Sequence, residues 1–277
     1  MKFSSESFVR RCSGLLARCS VLWMVMLTML PAPASAHDHF LWADRYQLAS
    51  EQPATVQFQV GHAGDFAAWP HGLTQVSAIA TYGPSGFGDW LHTLGEDDVQ
   101  VQLKEPGTYV VALTSYRSTS ELPGERFDAY VSKEGLAAIA AHRERAHQPD
   151  QPGTELYARR AKALLQVGEP ATAHATQRLG MELEIVPLRN PYSLKEDDAL
   201  PVQVWYRGKP LAGAQVELEH LTLQAIAAQS MQTDDNGIAT FPITKRGEWK
   251  LNVVWGVPMA HRGATYSTVF SSLTFGY

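Results

Sequence analysis

The sequence is poor in cysteine. Cys12 and Cys19 are its two thiols, and both lie in the first 36 residues. The remainder therefore offers no disulfide, no thiolate metal ligand and no cysteine nucleophile. Long apolar runs are also missing, because residues 21–30 form an apolar stretch only about half as long as the roughly twenty residues that cross a bilayer. This pattern does not predict a membrane anchor.

Basic residues do not dominate the chain, since 23 Lys and Arg face 28 Asp and Glu and the formal net charge is −5. Nucleic-acid binding draws on excess positive charge, so we expect no nucleic-acid partner. The sequence also contains neither a phosphate-binding glycine loop nor a His-Glu-x-x-His pair. We therefore expect a binding protein and no enzymatic activity.

The first 36 residues are typical of a secretory signal peptide. Arg10, Arg11 and Arg18 precede the apolar stretch, and the segment ends in the small-x-small pattern Ala34-Ser35-Ala36. Cleavage after Ala36 would release a soluble periplasmic protein of 241 residues with 19 basic and 27 acidic side chains. All ten histidines would remain in this mature chain.

Alternating apolar residues predict a mainly β protein. Residues 37–132 are interpreted as an N-terminal β-sandwich, in which strands at 99–103 and 108–113 form a hairpin. Helical spacing of apolar residues predicts two helices, near 136–140 and 157–165, within a linker at 133–170. Residues 171–277 show short strands separated by turns such as Asp234-Asp235-Asn236-Gly237, which is typical of an immunoglobulin- or transthyretin-like sandwich.

Cleavage after Ala36 would create the N-terminus His37-Asp38-His39. A histidine in third position can join the α-amine and two amide nitrogens in a planar chelate that favours Cu(II) or Ni(II). Alternatively, the amine and ring of His37 chelate together while His39, or a histidine supplied by the fold, completes the set. We favour this second geometry, because burial of Phe40, Leu41 and Trp42 would order the neighbouring strand.

The best additional ligand from the fold is His62, because Gly61 and Gly64 around it permit a close approach of two backbones. The sequence therefore predicts a transition-metal site formed by His37, His39 and His62.

The sequence resembles a family of uncharacterised bacterial periplasmic proteins that are described as periplasmic components of nickel or cobalt uptake systems. The matching segments lie at 37–42, 61–62, 157–164, 183–192, 208–214 and 272–275. The resemblance implies binding of Ni(II) or Co(II), with Cu(II) as an alternative, through His37, His39 and His62. It also implies a metal-ion transporter in the inner or outer membrane as partner.

Two other functions are compatible with the sequence. A structural or carbohydrate-binding protein would be favoured by exposed aromatic side chains at Trp69 and Trp90. A copper oxidase with an N-terminal histidine brace would require a reducible, open copper site at His37.

Overall fold

The computed structural model describes residues 38–49, 52–148, 151–195, 197–223 and 226–277, which all belong to the compact unit His37–Tyr277. His37 itself, one of the predicted ligands, lies outside the described residues. None of the helices in these ranges is long and apolar enough to span a membrane.

Strands dominate the described residues. In chain order they are β1 (His39–Ala43), β2 (Gln47–Leu48), β3 (Pro53–His62), β4 (Asp65–Ala68), β5 (Val76–Gly83), β6 (Gly86–Asp89), β7 (Asp98–Gln102), β8 (Gly107–Ser115), β9 (Ser118–Leu122), β10 (Gly153–Val167), β11 (Leu183–Pro187), β12 (Ala199–Tyr206), β13 (Lys209–Pro210), β14 (Gln215–His220), β15 (Gln229–Gln232), β16 (Ile238–Pro242), β17 (Glu248–His261) and β18 (Ala264–Gly276). The α-helices are α1 (Gly72–Gln75), α2 (Gly124–Lys133) and α3 (Ala137–Arg145).

The strands form three sheets. One four-stranded sheet has the order β1-β3-β4 with β7 also paired to β3, and a second has the order β11-β12-β13 with β16 also paired to β12. The largest sheet runs β15-β14-β17-β18-β10-β8-β5-β6, with β2 and β9 paired to parts of β10. Each four-stranded sheet packs against part of the ten-stranded sheet.

Two hydrophobic clusters lie between these sheets. The N-terminal cluster joins alternate residues of β1, β3 and β7 to residues of β5, β8 and β10, including Phe58 and Tyr109. The C-terminal cluster joins β11, β12 and β16 to β14, β17 and β18 around Phe241 and Trp249. This arrangement confirms the mainly β, sandwich-type fold.

The predicted helix near 157–165 is wrong, because residues 153–167 form the strand β10. From Ala161 to Val167 every residue of β10 is buried, since the strand lies inside the largest sheet. A strand buried on both faces is apolar without alternation, and its apolar spacing resembles that of a helix. The helix predicted near 136–140 is confirmed as α3, whereas α2 lies in a region that was interpreted as strand.

The predicted hairpin between residues 99–103 and 108–113 is also wrong. The first segment, β7, pairs with β3, whereas the second, β8, pairs with β5 and β10. The turn at residues 105–107 therefore carries the chain from one sheet to the opposite sheet of the sandwich. The boundaries at 132 and 171 stay a prediction.

Candidate metal site

The candidate site lies where the start of β1 and the end of β3 meet the outer face of β14 and β17. In β14 and β17, Val216, Leu218, Leu251 and Val253 enter the C-terminal cluster. Alternation then directs the side chains of Glu217, Glu219, Lys250 and Asn252 to the other face. Because Glu219 pairs with Lys250 across the two strands, opposite charges are adjacent there.

Lys250 neutralises the buried carboxylates of this site. Its Nζ lies 2.6 Å from Asp38 Oδ2 and 3.0 Å from Glu219 Oε2, and it also donates to the carbonyl oxygen of Gly61 at 3.3 Å. The Lys250 side chain is 0% exposed. Burial alone would lower the pKa of Lys250, but Asp38 and Glu219 outweigh burial and raise it. Lys250 is therefore a fixed cation.

Asp38 and Glu219 stay ionised for the same reason. Burial would raise the pKa of each carboxyl group, but Lys250 and His62 together outweigh burial, so the pKa of Asp38 is lowered and that of Glu219 falls to about 2. Asn252 Nδ2 also donates to Asp38 Oδ1 at 2.8 Å, and the amide of Ala63 donates to Glu219 Oε2 at 3.1 Å.

The two carboxylates hold one nitrogen of His62. Its Nδ1 lies 3.4 Å from Asp38 Oδ2 and 3.5 Å from Glu219 Oε1. Hydrogen bonding to Asp38 and then to Glu219 raises the pKa of His62 to about 9. An imidazole held in this way has a fixed ring orientation and a more basic second nitrogen, as metal-binding histidines have.

The second nitrogen of His62, Nε2, lies on the exposed side of the site, 3.1 Å from Lys133 Nζ at the end of α2. A neutral His62 that carries its proton on Nδ1 can accept a hydrogen bond from Lys133, whereas the imidazolium form cannot, because two N–H donors cannot share such a contact.

Two further carboxylates make the site acidic. Burial and the nearby charge of Asp38 raise the pKa of Glu134 to about 7, while burial and Glu219 raise the pKa of Glu217. The cluster thus contains four carboxylates (Asp38, Glu134, Glu217 and Glu219), two ammonium groups and one imidazole. An added divalent cation would favour the ionised form of Glu134, whose pKa is about 7 without it.

Ligand atoms of Asp38, His62 and Glu219 all lie within 4.8 Å of one another, so these residues could surround a metal ion. Oxygen and imidazole donors suit divalent transition metals. Since the carboxylate oxygens already accept hydrogen bonds from Lys250, Asn252 and Ala63, their best role is to orient His62. The donor that faces the exposed side is then His62 Nε2, which a metal could bind only in place of Lys133 and of a proton.

The structure does not bring His39 and His62 together. His39 is 2% exposed, and its ring packs edge-on against Trp69 with centroids 4.5 Å apart. It lies on the same face of β1 as Leu41, whereas Asp38 faces β17. Burial and the charge of Arg159 hold the pKa of His39 well below its usual value, and neither ring nitrogen has a hydrogen-bond partner among the described residues. The planar third-position chelate is disfavoured, because His39 is buried and its backbone pairs with Val60 of β3.

Sequence reasoning missed Asp38, Glu219 and Lys250 as members of the site. The charged residues Glu219 and Lys250, each next to core residues in a strand, were the available signal, because buried charges require partners.

Trp69 is 5% exposed and Trp90 packs partly buried against the N-terminal cluster. Neither side chain therefore supports a sugar-binding face.

Comparison with solved structures yields distant resemblance. The D0-D1 domain of intimin shares 15% identity, with 87% of this chain and 98% of that chain covered at a TM-score of 0.21. A two-domain fibronectin type-III segment from chicken tenascin shares 10% identity, with 87% and 99% covered at a TM-score of 0.24. At TM-scores this low, the likeness assigns no function.

No curated protein shows significant similarity to the sequence. One family does match, over residues 34–256, and it is described as "Domain of unknown function (DUF4198)". Because this match covers most of the sequence, the protein belongs to the DUF4198 family.

Proposed function

We propose that this protein binds a divalent transition metal, Ni(II) or Co(II) with Cu(II) as an alternative, and that His62 is the ligand supplied by the fold. The observation that carries this proposal is the contact of His62 Nδ1 with both Asp38 and Glu219. These buried carboxylates orient the imidazole and leave Nε2 as the donor toward the exposed side.

The surplus of carboxylates around His62 supports a cationic ligand. Asp38 also directly follows His37, whose free amine and imidazole would be additional nitrogen donors after cleavage at Ala36. Nitrogen donors of this kind favour Ni(II), Co(II) and Cu(II) over Ca²⁺ or Mg²⁺, which prefer oxygen ligands. A mixed set of imidazole and amine donors therefore agrees with the metals implied by the sequence.

In this proposal the metal is cargo. The exported protein captures it in the periplasm and passes it to a metal-ion transporter in the inner or outer membrane, without catalysing a reaction. A ligand set with few protein donors fits this role, because cargo has to be released.

Calorimetric titration of the processed protein with NiCl₂, CoCl₂ and CuCl₂ tests the proposal. We expect His62→Ala to weaken binding by at least about tenfold, since it removes a metal donor. His92→Ala is the matched control, because His92 is exposed in a short turn outside the cluster. Equal affinities of the His62→Ala variant and the unmodified protein would refute the proposal.

The contribution of the N-terminus requires a separate comparison. Protein that starts at His37 is titrated beside protein with one extra residue before His37, which removes the amine from the first chelate ring. Weaker binding by the extended protein is expected. Unchanged binding would exclude His37 as an amine ligand and leave His62 to be judged by its own variant.

A further inference from the structure

Lys133 is the last residue of α2, and the fold holds this helix end over the candidate site. Gln215 Nε2, on β14, donates to the carbonyl oxygen of Lys133 at 2.8 Å. Gln215 lies on the same face of β14 as Glu217 and Glu219, because the three residues alternate along the strand. The position of Lys133 is thus tied to the strand that carries the acidic part of the site.

The Lys133 side chain occupies the nitrogen of His62 that a metal would use. Lys133 Nζ lies 3.1 Å from His62 Nε2, a distance at which the ammonium can donate to the lone pair of a neutral imidazole. A metal ion would bind through that same lone pair. The two cations cannot use it together, and their charges repel at such a distance.

The two lysines of the site differ in their freedom to leave. Lys250 is 0% exposed and is held by Asp38, Glu219 and Gly61. The Lys133 side chain is 49% exposed, and its other ion-pair contact, with Glu134 Oε1, is 3.6 Å long. Lys133 can therefore move into solvent at little cost, whereas Lys250 cannot.

We propose that Lys133 is a displaceable cation, which caps His62 Nε2 until a divalent metal replaces it. This inference rests on the proposed function. The exchange keeps a positive charge beside the carboxylates in both states. It also limits the affinity, because binding has to break the contact between Lys133 and His62.

Removal of the Lys133 ammonium should therefore tighten metal binding. We expect Lys133→Met to bind Ni(II) about fivefold more tightly or better, the size of effect that a weak, exposed charge interaction produces. Lys133→Gln, which keeps a polar side chain, should show the same direction. Lys104→Met is the control, because it removes an exposed lysine ammonium that lies outside the site.

Calorimetry with NiCl₂ on these variants and on His62→Ala separates the two proposals. If His62→Ala weakens binding but neither Lys133 variant tightens it more than Lys104→Met does, displacement is refuted and metal capture stands. If His62→Ala binds like the unmodified protein, capture at His62 is refuted and displacement is refuted with it. Thermal melts of each variant confirm that the fold is retained.

Discussion

His62 and its two carboxylates determine one another's protonation. Asp38 and Glu219 raise the pKa of His62, and His62 contributes to the lowered pKa of each carboxyl group. Lys250 adds a permanent charge that keeps both carboxylates ionised. At the scale of single residues, the site is thus an acidic pair that keeps one imidazole in a fixed orientation.

The stability of the protein should depend on pH through His62. Its pKa is about 9 in the folded protein and near 6.5 in the unfolded chain, so the folded state binds the proton more tightly. The stabilisation is fully present below about pH 6.5 and is lost as the pH rises through about 9. Urea unfolding with a chelator present should therefore show a larger difference between the unmodified protein and His62→Gln at about pH 6 than at about pH 10.

The stabilisation contributed by Glu219 has the opposite pH dependence. The pKa of Glu219 is about 2 in the fold, below the ordinary value of 4.5, so its contribution is present above pH 4.5 and is lost as the pH falls toward 2. Between these limits both groups stabilise the fold. A difference between the two proteins that does not change with pH would contradict the assigned role of His62.

The hairpin of β3 and β4 directs His62 toward Asp38. Gly61 precedes His62 with φ +135°, and its amide donates to the carbonyl oxygen of Asp38 at 2.9 Å. Regular alternation from Val60 would place His62 on the face of His39, so the unusual conformation of Gly61 changes its direction. A Cβ at this position would lie 2.3 Å from the carbonyl oxygen of Asp65.

We expect Gly61→Ala to destabilise the protein by about 1–3 kcal/mol and to weaken metal binding, because the hairpin must shift to admit the methyl group. Gly86→Ala is a matched control: Gly86 has φ +84°, but a Cβ there meets nothing within 4 Å. Chemical denaturation and calorimetry of both variants separate backbone strain from steric overlap. Equal losses of stability and unchanged metal affinity would contradict this account.

Strands that alternate were predictable from the sequence, and those buried on both faces were not. The alternation of Val56, Phe58 and Val60 predicted β3, since one face of that strand is more exposed than the other. In β10 the run from Ala161 to Val167 is wholly buried, so the exposed face that marks a strand in sequence is missing. Burial on both faces depends on which elements cover the strand, and local sequence does not contain that information.

The two sandwiches share one sheet, which makes the described molecule a single structural unit. β10, from the first half, pairs in parallel with β18 along residues 155–163. Close to this junction, Lys162 Nζ donates to Glu184 Oε1 at 3.0 Å, with both side chains buried. Separating the halves would expose the backbone of β10 and leave these two charges unpaired.

We therefore expect the processed protein to unfold in one cooperative transition, although its length would allow two domains. Differential scanning calorimetry should give a single peak whose calorimetric and van't Hoff enthalpies agree. A fragment of residues 37–132, which lacks β10, should not fold by itself. Two resolved transitions, or a folded fragment, would show that the halves are independent.

The sequence by itself determined the mainly β character of the protein and indicated His62 as a candidate metal ligand. It also gave no reason to expect thiol chemistry or a nucleic-acid partner, since composition and short periodic patterns carry that information. Tertiary structure alone decided that His62 meets Asp38 and Glu219 and that His39 does not. Asp38 and Lys250 are 212 residues apart in the chain and 2.6 Å apart in the fold. Such contacts depend on how the sheets pack, because the local pattern indicates which face of a strand is buried but not which distant strand covers it.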